Sequence, residues 1–177
     1  MLNHVMISQL AAIANKKAYF FGSIMKKIRI GDIFGISTKR GYAIFQYVSD
    51  TKDNCDLIRI LPGIFQDLTI DWLEIVRKKE MYFIHFPLQA AVNKKLVTFI
   101  GNFELPQGFI VPKHFRDHTV NPRNGNSTWY IREENRNKMK LIDVLSDEFI
   151  GLSDWGIWND TLLRERIEEN WSLQNWR

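Results

Sequence analysis

The sequence predicts an α+β domain that is β-rich, with a mostly antiparallel sheet or partly open barrel and two or three packed helices, one of them C-terminal. Two observations lead there. Short runs dense in aromatic and β-branched residues recur along the chain, separated by polar or Gly/Pro-bearing loops. Apolar residues at helical spacing occupy only a few stretches, the clearest at the C-terminal end. The 177 residues are length for one domain of ordinary size. With 45% hydrophobic residues, twelve Phe and six Trp, an aromatic-rich core is expected.

In chain order, residues 5–14 place Ile7, Leu10, Ala11 and Ala14 at helical spacing, a short helix that is marginal in water unless it docks. Gly22 and Ser23 break that pattern. From Lys26 the period changes to two as far as Ile36, and a second run spans Tyr42 to Val48. The short loop between them contains Gly41, so the pair predicts a β-hairpin. Residues 49–56 form a polar loop. Leu57 to Leu61 make a third strand, stopped by Pro62 and Gly63. Residues 69–79 predict a helix with Thr69 as N-cap, an apolar stripe of Ile70, Leu73 and Val76, and basic residues 77–79 at its C-terminal end. Strands follow at 82–86 and 96–100. Pro106 and Pro112 make residues 105–115 an irregular crossover. Short late strands occupy 127–131 and 138–142. A final helix begins near Asp160, with Leu163, Ile167 and Trp171 at four-residue steps and acids and arginines on its wet face.

Charge narrows the partner classes. The formal net charge of +4 is a mild excess, and it is uneven: residues 1–60 hold nine Lys/Arg against four Asp/Glu, residues 121–177 eight against ten. A nucleic-acid binder concentrates more charge on one face, so nucleic acid is not the expected partner. The one cysteine, Cys55, allows no intrachain disulfide, which fits a reducing cytoplasm. No apolar run approaches the roughly 20 residues of a membrane span. The first 24 residues lack the basic n-region of a secretory signal.

The residues point to no catalytic, metal or cofactor site. No dinucleotide, phosphate-loop or nucleophile-elbow motif occurs. His114 and His118 are four apart with Asp117 between, and on a helix they would share a metal, but Pro112 and Pro122 argue against a helix there. His85 lies inside an aromatic strand and reads as a half-buried, satisfied histidine. Cys55 sits between Asn54 and Asp56, and a neighbouring carboxylate raises a thiol pKa. Adjacent acids at 133–134, 147–148 and 168–169 point in different directions on a helix and form solvated surface or an acidic docking face. Lys26, Lys27, Arg29, Lys39 and Arg40, with Tyr42 and Tyr47 nearby, outline either a nucleic-acid groove or edge-strand lysines that oppose aggregation. Trp155 and Trp158 precede the last helix and are expected to pack it onto the sheet.

Taken in order, several segments resemble the immunity protein 26 family. They are Ile30-Gly-Asp-Ile-Phe-Gly-Ile36, Gly41-Tyr-Ala-Ile-Phe-Gln46, Val97 through Pro106, Pro112-Lys-His-Phe115, and the closing stretch from Trp155 to Trp171. These are bacterial proteins that protect cells from polymorphic toxins encoded beside them. The resemblance covers about residues 26–174 and implies a protein that acts by binding, with no catalytic residues to transfer. Residues 1–24 lie outside it, as an N-terminal extension or a mis-assigned start with Met25 as the true one.

Three readings follow. The first is a cytoplasmic, non-enzymatic immunity protein whose partner is a cognate toxin domain, met by the exposed acids Glu165, Glu168 and Glu169 of the last helix. The second is a small basic nucleic-acid-binding or regulatory β-domain using Lys39 and Arg40. The third is an enzyme built on His114, Asp117 and His118.

Overall fold

In a computed structural model, which describes residues 27–50, 55–133, 136–142 and 145–176, the central strands are buried on both faces. Strand β2 (Gly41–Ser49) is buried from Ala43 to Val48, and β3 (Asp56–Phe65) from Leu57 to Leu61. That continuity reflects the sequence, where apolar residues occupy both parities of these runs. Such strands need cover on both sides. With β1 (Asp32–Thr38), β4 (Tyr82–Phe86) and β5 (Thr98–Asn102) they form an antiparallel sheet of order β4-β3-β2-β1-β5. A second antiparallel sheet has the order β6-β7-β8, from β6 (His114–Val120), β7 (Ser127–Glu133) and β8 (Arg136–Ile142). Neither sheet closes into a barrel. The helix expected over 5–14 and the extension 1–24 lie outside the described residues.

One face of the large sheet carries Phe34, Phe45, Ile58, Ile60, Tyr82, Ile84 and Phe86. It is covered by α2 (Leu88–Asn93), α4 (Asp160–Glu168) and the tail residues Trp171 and Leu173. On the other face, α1 (Trp72–Val76) covers Ile33, Ile44 and Leu61. Phe115 of the second sheet covers Val48, Leu57 and Phe83. The short helix α3 (Asp147–Ile150) completes the chain's helices among the described residues, and its Phe149 packs with Trp129, Ile131 and Ile142.

Residues 153–158 join the two sheets. Ser153 Oγ accepts from the Phe83 amide at 3.0 Å, and the Trp158 amide donates to the His85 carbonyl at 2.9 Å, so this segment lines the β4 edge. The same segment pairs with β6, where the Arg116 amide donates to Ser153 and the Trp155 amide to Arg116, both at 2.9 Å. Trp158, buried at 3%, packs with Leu163 of the last helix as expected, whereas half-buried Trp155 turns to the other face and packs beside Phe115 instead.

Three expectations change. Strand β3 does not stop at Pro62 but runs to Phe65, because the register against β2 shifts there and places Pro62 and Gly63 in a bulge. The helix expected over 69–79 is shorter, and its N-cap is Asp71, whose carboxylate accepts from the Leu73 amide at 2.9 Å; Thr69 instead bonds Asp67. Its buried residues are Trp72, Ile75 and Val76, while Leu73 is 46% exposed. Residues from His114 leave the irregular crossover and form β6.

Candidate functional site

The last helix begins at the N-cap Asn159, whose side chain accepts from the Leu162 amide at 2.8 Å, and buries Leu163 against the sheet. It ends in a Schellman turn. Asn170 adopts φ 55°, and the amides of Asn170 and Trp171 donate back to Ile167 and Arg166. Trp171 therefore leaves the helix yet stays in the core, its ring 5.0 Å from Tyr82 and 5.1 Å from Trp158.

Where the chain turns away, a groove of about 270 Å³ opens between the helix end and the sheet. Ile64, Met81, Ile167 and the Trp171 ring share its lining with Gly63 and Asn170, and polar and apolar atoms contribute about equally to its surface. Two guanidinium groups stand on its rim, Arg40 from the β1–β2 turn and Arg166 from α4. Met81 is 42% exposed, so the apolar surface continues outward.

Both arginines rise from braced backbone. Gly41, at φ 125°, closes the turn after Lys39 and Arg40, where a Cβ would stand 2.5 Å from the Phe65 carbonyl oxygen. The Arg40 carbonyl accepts from Gln66 Nε2 at 3.0 Å. Glu168 accepts from the Lys39 amide at 2.8 Å and pairs with Lys39 Nζ at 3.4 Å, while Arg164 Nε donates to the Ser37 carbonyl at 3.0 Å. The amide of Lys39, more than its charge, holds the Glu168 carboxyl below the usual glutamate range.

The three acids expected to meet a partner thus divide. Glu165 and Glu169 are exposed, and Glu169 sits 3.4 Å from Arg166. Glu168 is half-buried and turned toward Lys39, where it ties helix to hairpin. The basic residues of the first third are not brought together. Lys27 and Arg29 precede β1, Lys39 and Arg40 follow it, and a seven-residue strand puts roughly 23 Å between the groups. Tyr47 is buried at 6%, and Tyr42 packs toward α1; Lys26 lies outside the described residues.

His114 and His118 are four residues apart on a strand, about 13 Å, and Asp117 faces the opposite side, paired with Arg132 at 2.6 Å. His118 is stacked on Trp129 at 5.0 Å and set edgewise to Trp176 at 5.3 Å. Among the described residues, no group of three His, Cys, Asp or Glu is gathered to hold a metal ion. His85 is buried at 5% beside Phe115 and Trp155, deeper than the half-burial expected. A second concavity, about 520 Å³, lies between the second sheet and α3; Ile131, Phe149 and Leu152 line it with His114, Glu133, Lys140 and Glu148. No helix among the described residues is long and apolar enough to cross a membrane.

Sequence reasoning placed Arg40 in a basic patch and left Arg166 on a wet helix face. Neither was linked to a groove, because Arg40 and Arg166 meet only through the α4–hairpin packing. Chain-wide comparison adds nothing to this geometry: no family model, curated protein or solved structure matches the chain.

Proposed function

We propose that the protein is a non-enzymatic immunity protein, acting in the cytoplasm, that binds a cognate toxin domain and neutralises it by occlusion. The docking face is the α4–hairpin surface. The observation that carries this reading is the anatomy of the groove, where apolar side chains, polar groups and two arginines on braced backbone meet between the last helix and the sheet. Protein–protein interfaces combine apolar and polar surface in this way, with arginine enriched among their contacts. At about 270 Å³ the groove has room for one large side chain of a partner. Rim charges such as Arg40 and Arg166 fix register and speed encounter more than they add affinity.

The test is direct binding to the toxin domain encoded beside the gene. Purified chain and toxin domain should form a one-to-one complex by calorimetry, and the complex should lack toxin activity. A toxin that stays active and unbound at micromolar concentrations of the chain overturns the proposal.

A further inference from the structure

We infer that the groove beside α4 is built for an acidic anchor of a protein partner: a large apolar side chain enters the cavity, and an adjacent carboxylate lies between Arg40 and Arg166. The inference rests on the protein-binding reading above and adds the chemistry of the segment bound.

Ile64, Met81, Ile167 and the Trp171 ring give the groove apolar walls against which an aliphatic or aromatic side chain packs. The rim asks for an anion. Arg40 makes no side-chain ion pair among the described residues, and Arg166 has only a long, exposed contact with Glu169 at 3.4 Å. Such a pair contributes little and yields readily to a better acceptor. Guanidinium groups match carboxylates in two parallel hydrogen bonds, and the partly apolar surround strengthens those bonds relative to open water. The arginine backbones are already held, through Gln66 on one side and the Glu168 and Arg164 ties on the other, so little ordering remains on binding. A bare phosphate would satisfy the arginines but leave Ile64, Met81 and Ile167 uncovered, and for that reason the anchor carries its acid next to a large side chain.

The experiment uses the full chain and four acetylated, amidated pentapeptides that differ only at their centre: Phe-Asp, Phe-Lys, Ala-Asp and Ala-phosphoserine. Binding is read from tryptophan fluorescence and from methyl chemical shifts of the isoleucines. Phe-Asp should bind at least tenfold more tightly than each of the others. In the variant carrying Arg40→Glu and Arg166→Glu the order should invert, with Phe-Lys preferred, which also shows the variant to be folded. Equal binding of Phe-Asp and Phe-Lys, tighter binding of the phosphoserine peptide, or no binding of Phe-Asp at millimolar concentration overturns the inference. The same variant separates the two claims. A toxin complex unaffected by the double reversal, with Phe-Asp failing to bind, removes the anchor and leaves toxin binding standing. Phe-Asp binding without any toxin complex does the opposite.

Discussion

Two buried arginines set the two sheets apart. Arg59, 1% exposed in the large sheet, donates to Gln46 Oε1 through Nε and Nη2 at 2.9 and 2.6 Å and to the Val76 carbonyl. Glu80 lies 3.6 Å from its Nη1, and Gln46 passes the network on to the carbonyls of Gly31 and Phe103. The side chain of Arg116, fully buried in the small sheet, makes one hydrogen bond among the described residues, from Nη2 to the Leu173 carbonyl. Its Nε and Nη1 have no hydrogen-bond partner among the described residues. Its guanidinium lies instead over the faces of Trp176 and Trp129, 4.4 and 5.4 Å from the ring centroids. Burial pushes its pKa down to about 10, opposed by Asp154. Arg59 also has the Phe109 ring 5.2 Å from its guanidinium, but its donors are met by polar acceptors, whereas Arg116 rests chiefly on aromatic faces. The polar network ties β2 and β3 to the end of α1, whereas the aromatic cage holds down the C-terminal tail.

This contrast makes graded predictions for stability, read by urea denaturation. Arg59→Met should cost most, about 3–5 kcal/mol, because it leaves Gln46, the Val76 carbonyl and Glu80 without their buried partner. Trp176→Ala comes next at about 2 kcal/mol, since the half-buried ring packs on Trp129, Trp171 and His118 as well as on Arg116. Arg116→Met should cost only about 1 kcal/mol: the bond to Leu173 is lost, but two unpaired buried nitrogens go with it. If Arg116→Met proves as damaging as Arg59→Met, the distinction between the two regions fails.

The smallest effect concerns pH. The folded pKa of Glu168 is depressed, so its contribution is complete above the unfolded glutamate value of about 4.3 and is lost as pH falls below it. Glu168→Gln should flatten the acid side of the stability profile, with a small loss of stability at pH 7 that disappears once the pH is low enough to protonate the wild-type carboxyl. An unaltered acid slope in thermal melts between pH 3 and pH 5 would show that the helix–hairpin tie is not coupled to folding.

How much of this was legible beforehand depends on whether the signal was local. The hairpin and the third and fourth strands follow from runs dense in aromatic and β-branched residues, and the last helix from apolar residues at four-residue steps. Strand β6 was hidden by the prolines before it and by its polar content: His114, Arg116, Asp117 and His118 spoil any apolar alternation. Arg116 finds its cage only through Trp129 and Trp176, distant in sequence. Helix α2 escaped because its N-terminus, after Pro87, is satisfied by Asp56 of another strand, which accepts from the Leu88 and Gln89 amides. One usable signal went unread: Arg59 in Leu57-Ile-Arg-Ile-Leu61 and Gln46 in the preceding run are lone polar residues inside buried strands, and such residues imply each other as partners. The groove had no comparable signal, since its walls come from four separate segments.

The most direct test of the central claim is amide hydrogen exchange of the full chain with and without the toxin domain encoded beside it. The account predicts new protection confined to residues 39–41, 60–64 and 165–171, the turn, sheet and helix segments around the groove. Protection over β7 and β8 instead, or none in a complex that forms, would contradict it.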